Sequence, residues 1–123
     1  MDRVFLRIGA FFGFLGVAFG AFGAHALKVR LSPEMLGIFE TGVRYQMYHA
    51  FAVLIVAAAI GSIGKTRLLV IAGWSFVAGI VLFSGSLYSL ALTGSVVMGA
   101  ITPLGGVLFL IGWVCLASSA FAK

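Results

Sequence analysis

The sequence predicts an all-α integral membrane protein, a bundle of four transmembrane helices with a short amphipathic segment between the first two. Three observations predict it. Charged residues make up 9% of the 123-residue chain, against roughly 25% in a soluble domain. The hydrophobic share is 63% and the mean hydropathy is +1.22, which leaves too little polar material to cover a water-facing surface. The apolar residues also fall into four runs near the length a helix needs to cross a hydrocarbon core of ~30 Å, about 20 residues each. These features exclude a soluble enzyme, a nucleic-acid-binding module and a disordered tail. The 8 basic and 3 acidic residues give a formal charge of +5, which bears on membrane orientation and not on DNA. Cys115 is the single cysteine and lies in an apolar run, so no disulfide framework or cysteine-based zinc site is available.

The chain, 1–123, reads as a single membrane domain with spans at about 4–26, 43–60, 68–92 and 97–120. Backbone polar groups must be satisfied inside lipid, and strand alternation is absent, so each span is a helix. The first follows Arg3 and is interrupted only by Arg7. Its basic start and Ala24-His25-Ala26 imitate a secretory signal, but the apolar stretch exceeds the ~7–15 residues of such a segment. Between the first two spans, Ser32-Pro33-Glu34 is a good helix start: serine caps, proline fits the first helical position and glutamate suits the positive helix end. Met35, Leu36, Ile38 and Phe39 give this segment an apolar side. It either lies along the interface as a short amphipathic helix or extends the second span outward; Gly37 and Gly42 favour a break or bend. The 61–66 and 93–95 connections are tight turns. Thr102-Pro103 ahead of Gly105-Gly106 is open to two readings, a bend near the outer membrane surface or a proline that is benign because it lies close to a helix start.

Four spans place both termini on one side. That side holds Arg3, Arg7, Lys65, Arg67 and Lys123, and the other holds Lys28, Arg30 and Arg44. Positive charge stays preferentially in the cytoplasm, so both termini are expected there.

Topology then sorts the polar residues by depth. His25, Glu40, Arg44, Tyr45, Gln46, Tyr48, His49, Ser84, Ser86, Tyr88, Ser89, Thr93 and Thr102 fall in the outer half, whereas the inner half holds little beyond chain ends, Trp74 and Trp113. The two tryptophans suit interfacial anchors or packing wedges. Glu40 and Arg44 stand one turn apart in the order that favours an ion pair, Tyr48 continues their face, and Tyr45 and His49 form an adjoining pair. Ionisable groups inside lipid usually face protein or a wet cavity. The candidate polar site is therefore His25, Glu40, Arg44, Tyr45, Tyr48, His49, Ser84, Ser86 and Tyr88, with Arg44 and His49 turned toward the other spans. The plainer reading is that Glu40 and Arg44 mark the interface, with Arg44 snorkelling outward. His25 and His49 are too few ligands for a metal or haem, so no metal and no cofactor are expected.

Gly9, Gly13, Gly16, Gly20 and Gly23 step by four and three along the first span, which keeps them near one helix face and permits close helix approach. Gly16→Leu or Gly20→Leu is expected to harm assembly more than Cys115→Ala.

Four ordered motifs resemble a known family: Gly20-Ala21-Phe22-Gly23-Ala24-His25-Ala26-Leu27, Tyr45-Gln46-Met47-Tyr48-His49-Ala50, Phe83-Ser84-Gly85-Ser86-Leu87-Tyr88 and Gly99-Ala100-Ile101-Thr102-Pro103-Leu104-Gly105-Gly106. They look like the YgdD/YwdK family of small four-span bacterial inner-membrane proteins, a domain of unknown function. The resemblance implies a bacterial cytoplasmic-membrane protein and carries no catalytic assignment. The function expected is that of a non-enzymatic accessory or scaffold protein packing through glycine-rich faces, in contact with the lipid bilayer, with a homo-oligomer or another membrane subunit as partner and no nucleic acid. The alternative is a small transporter, channel or lipid-binding protein using the outer polar half. An acidic residue inside the first helix, which small multidrug transporters need, is missing. An enzyme acting on lipid or quinone through His49, Glu40 or Tyr48 has no nucleophile–base set to support it.

Overall fold

The computed structural model describes residues 2–121; Lys123, counted above on the inner side, lies outside the described residues. The described chain is helical throughout its spans, and four helical stretches are long and apolar enough to cross a membrane. α1 (Arg3–His25) is capped by Asp2, whose carboxylate accepts the Phe5 N–H at 3.0 Å. A 3-10 turn at Leu27–Val29 leads to α2 (Pro33–Ile63), where Ser32 Oγ accepts the Met35 N–H at 3.2 Å. The third span is α3 (Arg67–Gly79), a π turn (Ile80–Ser84) and α4 (Gly85–Thr93); the fourth is α5 (Val97–Ser119). Gly64 and Gly94, with φ of 92° and 73°, end α2 and α4 in conformations that glycine adopts without strain.

Of the two arrangements open for residues 27–42, the chain adopts the outward extension. α2 runs through Gly37 and Gly42 without a break. Gly42 acts as a contact surface: a Cβ there would stand 2.8 Å from the Tyr88 ring. The apolar side of the extension, including Phe39, Leu36 and Ile38, packs with Leu27 and Ala91 in a small outer cluster. α5 likewise continues as helix through Pro103.

The π turn has no counterpart in the sequence reading. One extra residue per turn shifts the helical phase by about 100°. The faces of α4 are therefore rotated relative to those of α3.

α1 packs chiefly on α2, α2 packs also on the third span, and the third span packs on α5. The two middle spans are thus better buried than the flanking α1 and α5. The main core fills the inner half with Phe5, Val53, Val56, Leu69, Phe76, Ile80 and Phe109. Aromatic rings sit on glycines at the helix crossings: Phe5 on Gly73, Phe109 on Gly79, Phe76 on Gly112 and Phe39 on Gly23. Without a hydrophobic force between helices in lipid, such ring-on-glycine contact is what dispersion has to work with.

Only part of the α1 glycine series carries close packing. A Cβ on Gly9 would meet Leu54 at 2.7 Å, one on Gly16 would overlap Met47 Sδ, and one on Gly23 would meet Phe39 at 3.0 Å. Gly20 would make ordinary contact with Val43 at 3.4 Å, and Gly13 would meet nothing within 4 Å. The expected five-residue face thus narrows to a seven-residue repeat, turned toward α2 of the same chain. Gly105 is tighter still, because its Cβ would lie 2.8 Å from the Phe83 Cα, part of a backbone that cannot rotate away.

At the inner end, Lys65 Nζ lies 3.4 Å from Asp2 Oδ2, whose side chain is 8% exposed. The Phe5 N–H holds the Asp2 carboxyl below its ordinary value of 3.8; burial opposes this and Lys65 adds to it. A carboxyl lowered on folding stabilises the folded state above its unfolded value, and that contribution is lost as pH falls through the folded one. Thermal unfolding in detergent should show the native chain losing stability relative to Asp2→Asn below pH 3.8. Gly105→Ala should cost ~1–3 kcal/mol by overpacking, Gly16→Leu should prevent assembly, and Gly13→Ala should be tolerated like Cys115→Ala; size-exclusion profiles of the four variants check the order.

Candidate functional site

The outer polar half is built from side chains on the buried faces of α2 and α4. On α2, Phe39, Gly42, Gln46, His49, Val53 and Val56 follow one another at steps of three and four and are all buried, so Gln46 and His49 are carried into the helix interface. Gln46, 2% exposed, joins three helices. Its Nε2 donates to the Phe12 carbonyl of α1 at 2.8 Å, and its Oε1 accepts from Tyr88 Oη of α4 at 2.6 Å. Ser84 Oγ donates to the Gly42 carbonyl at 2.7 Å. Ser86 Oγ and Thr102 Oγ1 lie 2.6 Å apart and tie α4 to α5.

His49, 4% exposed, ties α2 to α5. Trp113 Nε1–H, which can only donate, meets His49 Nε2 at 3.0 Å. Nε2 must therefore accept, which places the imidazole proton on Nδ1, where it is donated to the Tyr45 carbonyl at 2.7 Å. The imidazole also stacks on Phe109, with ring centroids 3.5 Å apart and planes 7° apart. Among the described residues, no buried side-chain polar atom lacks a partner.

The remaining expected site residues lie elsewhere. His25 ends α1 and is exposed. Glu40 and Arg44 are exposed and do not pair; the salt bridge found among the described residues joins Asp2 to Lys65. Arg44 turns instead to Thr41 Oγ1 at 3.1 Å, away from the bundle, so its expected inward orientation is replaced by an interfacial one. Tyr45 and Tyr48 are 38% and 54% exposed. Both face a groove of about 630 Å³ that opens between α2 and α5, with His49, Phe83, Phe109 and Trp113 among its walls. Gln46, Thr102 and Trp113 belong to the network but not to the expected site. Gln46 was legible on the buried stripe of α2. Trp113 was not, because its use depends on how closely α5 approaches His49.

Residues 19–106 match the family described as "Protein of unknown function (DUF423)". The chain belongs to this family. It is 45% identical over 118 residues to the "UPF0382 membrane protein YwdK" of Bacillus subtilis (strain 168), covering 96% of each chain. It is 46% identical over 121 residues to a UPF0382 membrane protein of Haemophilus influenzae (strain ATCC 51907 / DSM 11121 / KW20 / Rd), covering 98% of this chain and 96% of that one. A UPF0382 membrane protein of Staphylococcus aureus (strain bovine RF122 / ET3-1) is 46% identical over 121 residues, 97% of this chain and 96% of the relative. No solved structure matches. The family resemblance carried by the four motifs thus holds, and the family members are named as membrane proteins.

Four substitutions, taken in two pairs, probe the network. Gln46→Leu leaves the Tyr88 hydroxyl without its acceptor and should destabilise by ~1–2 kcal/mol; adding Tyr88→Phe should recover part of the loss in a thermal unfolding series. A double-mutant cycle of His49→Phe and Trp113→Phe should give a coupling of ~0.6 kcal/mol, and at most ~1.7.

Proposed function

We infer that this protein is a non-enzymatic accessory or scaffold component of the bacterial cytoplasmic membrane, with both termini in the cytoplasm. The observation that carries the reading is the one-sided packing of α1 and α5. Each rests on its neighbour along one face and leaves the opposite face apolar and uncovered, with Phe11, Phe14 and Val17 on α1 and Leu104 and Val114 on α5 all more than half exposed. The polar side chains support it from the other direction. Gln46, Tyr88, Ser84, Ser86, Thr102 and His49 spend their hydrogen bonds on holding the chain's own helices together. A group bonded in this way serves assembly first. The close-packing glycines 9, 16 and 23 lie against α2, so partners meet the outer faces of α1 and α5 and not a glycine seam.

The transporter reading draws less support from the same geometry, because a route for a polar solute would have to break the interhelical bonds that close the outer half. The excess of basic residues on the inner side supports the orientation, and reporter fusions at the C terminus check it: activity of a cytoplasm-dependent reporter is expected. Native mass spectrometry of the tagged protein, extracted gently from its own membranes, tests the scaffold reading. A second protein in fixed stoichiometry is expected, and Ala18→Trp on the exposed face of α1 should release it without unfolding the chain. A chain that emerges as a bare monomer under every mild extraction would remove the reading.

A further inference from the structure

The groove between α2 and α5 does not enter the scaffold reading, and its chemistry is ordered along the bilayer normal. Measured from Ile63 at the inner end of α2, at 1.5 Å per residue, Glu40 stands ~34 Å up, Arg44 ~28 Å, Tyr48 ~22 Å and His49 ~21 Å. A hydrocarbon core of ~30 Å therefore ends near Arg44. Glu40, Arg44 and Tyr48 are spaced by one turn each, so the three share one helix face. All three are exposed. From the outside inward, this face presents a carboxylate, a guanidinium, a phenol and then an apolar trough.

Each of these groups has hydrogen-bonding capacity left. Glu40 and Arg44 form no salt bridge with each other or with another described residue, despite a spacing that permits one. Arg44 uses one amino group on Thr41 Oγ1. The hydroxyls of Tyr45 and Tyr48 bond to no described protein atom, although their rings lie edge to face with centroids 5.6 Å apart. At its depth the Tyr48 O–H has little water to bond. Below the phenols the trough runs along α5 from Pro103 to Trp113, ~15 Å of helix, over Val107, Phe109 and Leu110. Its floor is rigid, because His49 is clamped by Trp113 and stacked on Phe109.

We propose that this face binds an amine-headed zwitterionic glycerophospholipid, of the phosphatidylethanolamine class. The order of groups matches that of the lipid. Glu40 takes the ammonium, the Arg44 guanidinium takes the phosphate diester, the Tyr48 and Tyr45 hydroxyls donate to the ester carbonyls, and one acyl chain lies in the trough. A lipid with a phosphate but no amine satisfies Arg44 and leaves Glu40 facing like charge. A lipid with neither satisfies only the phenols and the trough. The proposal goes beyond the scaffold reading and does not rest on it.

The test is native mass spectrometry of the full chain, delipidated in detergent and titrated with dioleoyl phosphatidylethanolamine, dioleoyl phosphatidylglycerol or dioleoylglycerol. One phosphatidylethanolamine per chain is expected, bound more tightly than phosphatidylglycerol, which lacks the ammonium contact, and at least about tenfold more tightly than dioleoylglycerol, which also lacks the charge-assisted bond to Arg44. Arg44→Gln should remove most of the affinity that phosphatidylethanolamine gains over dioleoylglycerol, leaving what the Glu40 contact contributes, and Arg44→Lys should retain most of it. Glu40→Gln should erase the preference over phosphatidylglycerol. Leu110→Trp, which fills the trough, should weaken all three lipids alike, and Lys28→Gln should change none. A phosphatidylethanolamine with a photoreactive acyl chain, used on the unsubstituted protein, covers the case of a variant that fails to fold: labelling of 103–113 and 45–49 is expected. Equal binding of the three lipids, labels spread evenly over α1 and α5, or a zero-length cross-link showing a second chain or a partner protein seated in the trough would overturn the proposal.

Discussion

Inside a bilayer there is no water to take up a spare hydrogen bond, and the Gln46 carboxamide shows how this chain meets that constraint. A primary amide carries two donors and a carbonyl, and burying it in hydrocarbon without partners costs several kcal/mol. Gln46 spends its donor side on the Phe12 carbonyl and its acceptor on Tyr88. Three helices are thereby held in one register. Gly16 makes room for Met47, the residue next to Gln46 in the chain, which a side chain at Gly16 would displace. Ser84 on the Gly42 carbonyl, Ser86 with Thr102, and His49 with Trp113 extend the principle to the remaining seams. The outer half of the bundle is fastened by pairs, each spanning two helices.

Inward of these pairs the bundle is held mainly by shape, with the Asp2–Lys65 pair closing its inner end. Rings on glycines supply close contact where no polar group is present, and each such pair constrains both partners. The ring cannot leave without opening a cavity, and the glycine cannot gain a side chain without driving the ring out. The two halves thus use different physics over the same four spans. That division explains how a chain with 9% charged residues adopts one arrangement among the many that uniformly apolar helices would allow.

Much of this was legible from residues alone. Length and hydropathy expose the four spans because a bilayer sets a length scale that soluble folds lack. Sorting residues by depth exposes the contrast between the polar outer half and the dry inner half. Helical spacing was less reliable for pairs. Glu40 and Arg44 stand at ion-pair distance along α2, yet at an aqueous boundary each gains as much from solvent or a headgroup as from the other. Glycines 13 and 20 share a composition with 9 and 16 but differ in what lies opposite, which only the crossing of α1 and α2 decides. Trp113 reads from the sequence equally as an interfacial anchor or a packing wedge, and its bond to His49 depends on an approach between residues 64 apart in sequence. The π turn leaves no mark on the sequence, since Ile80–Ser84 is an ordinary apolar helical run.

That turn makes the third span two screws cut to different phases on one rod. Below it, α3 addresses the phenylalanine core; above it, α4 addresses the hydroxyl and amide fasteners. The phase offset lets each segment point its own face at the same neighbours, which a single continuous screw would do for one half only. The two halves can therefore vary in sequence on separate terms, the lower under a rule of volume and the upper under a rule of hydrogen-bond count, with Ile80–Ser84 as the boundary between the two.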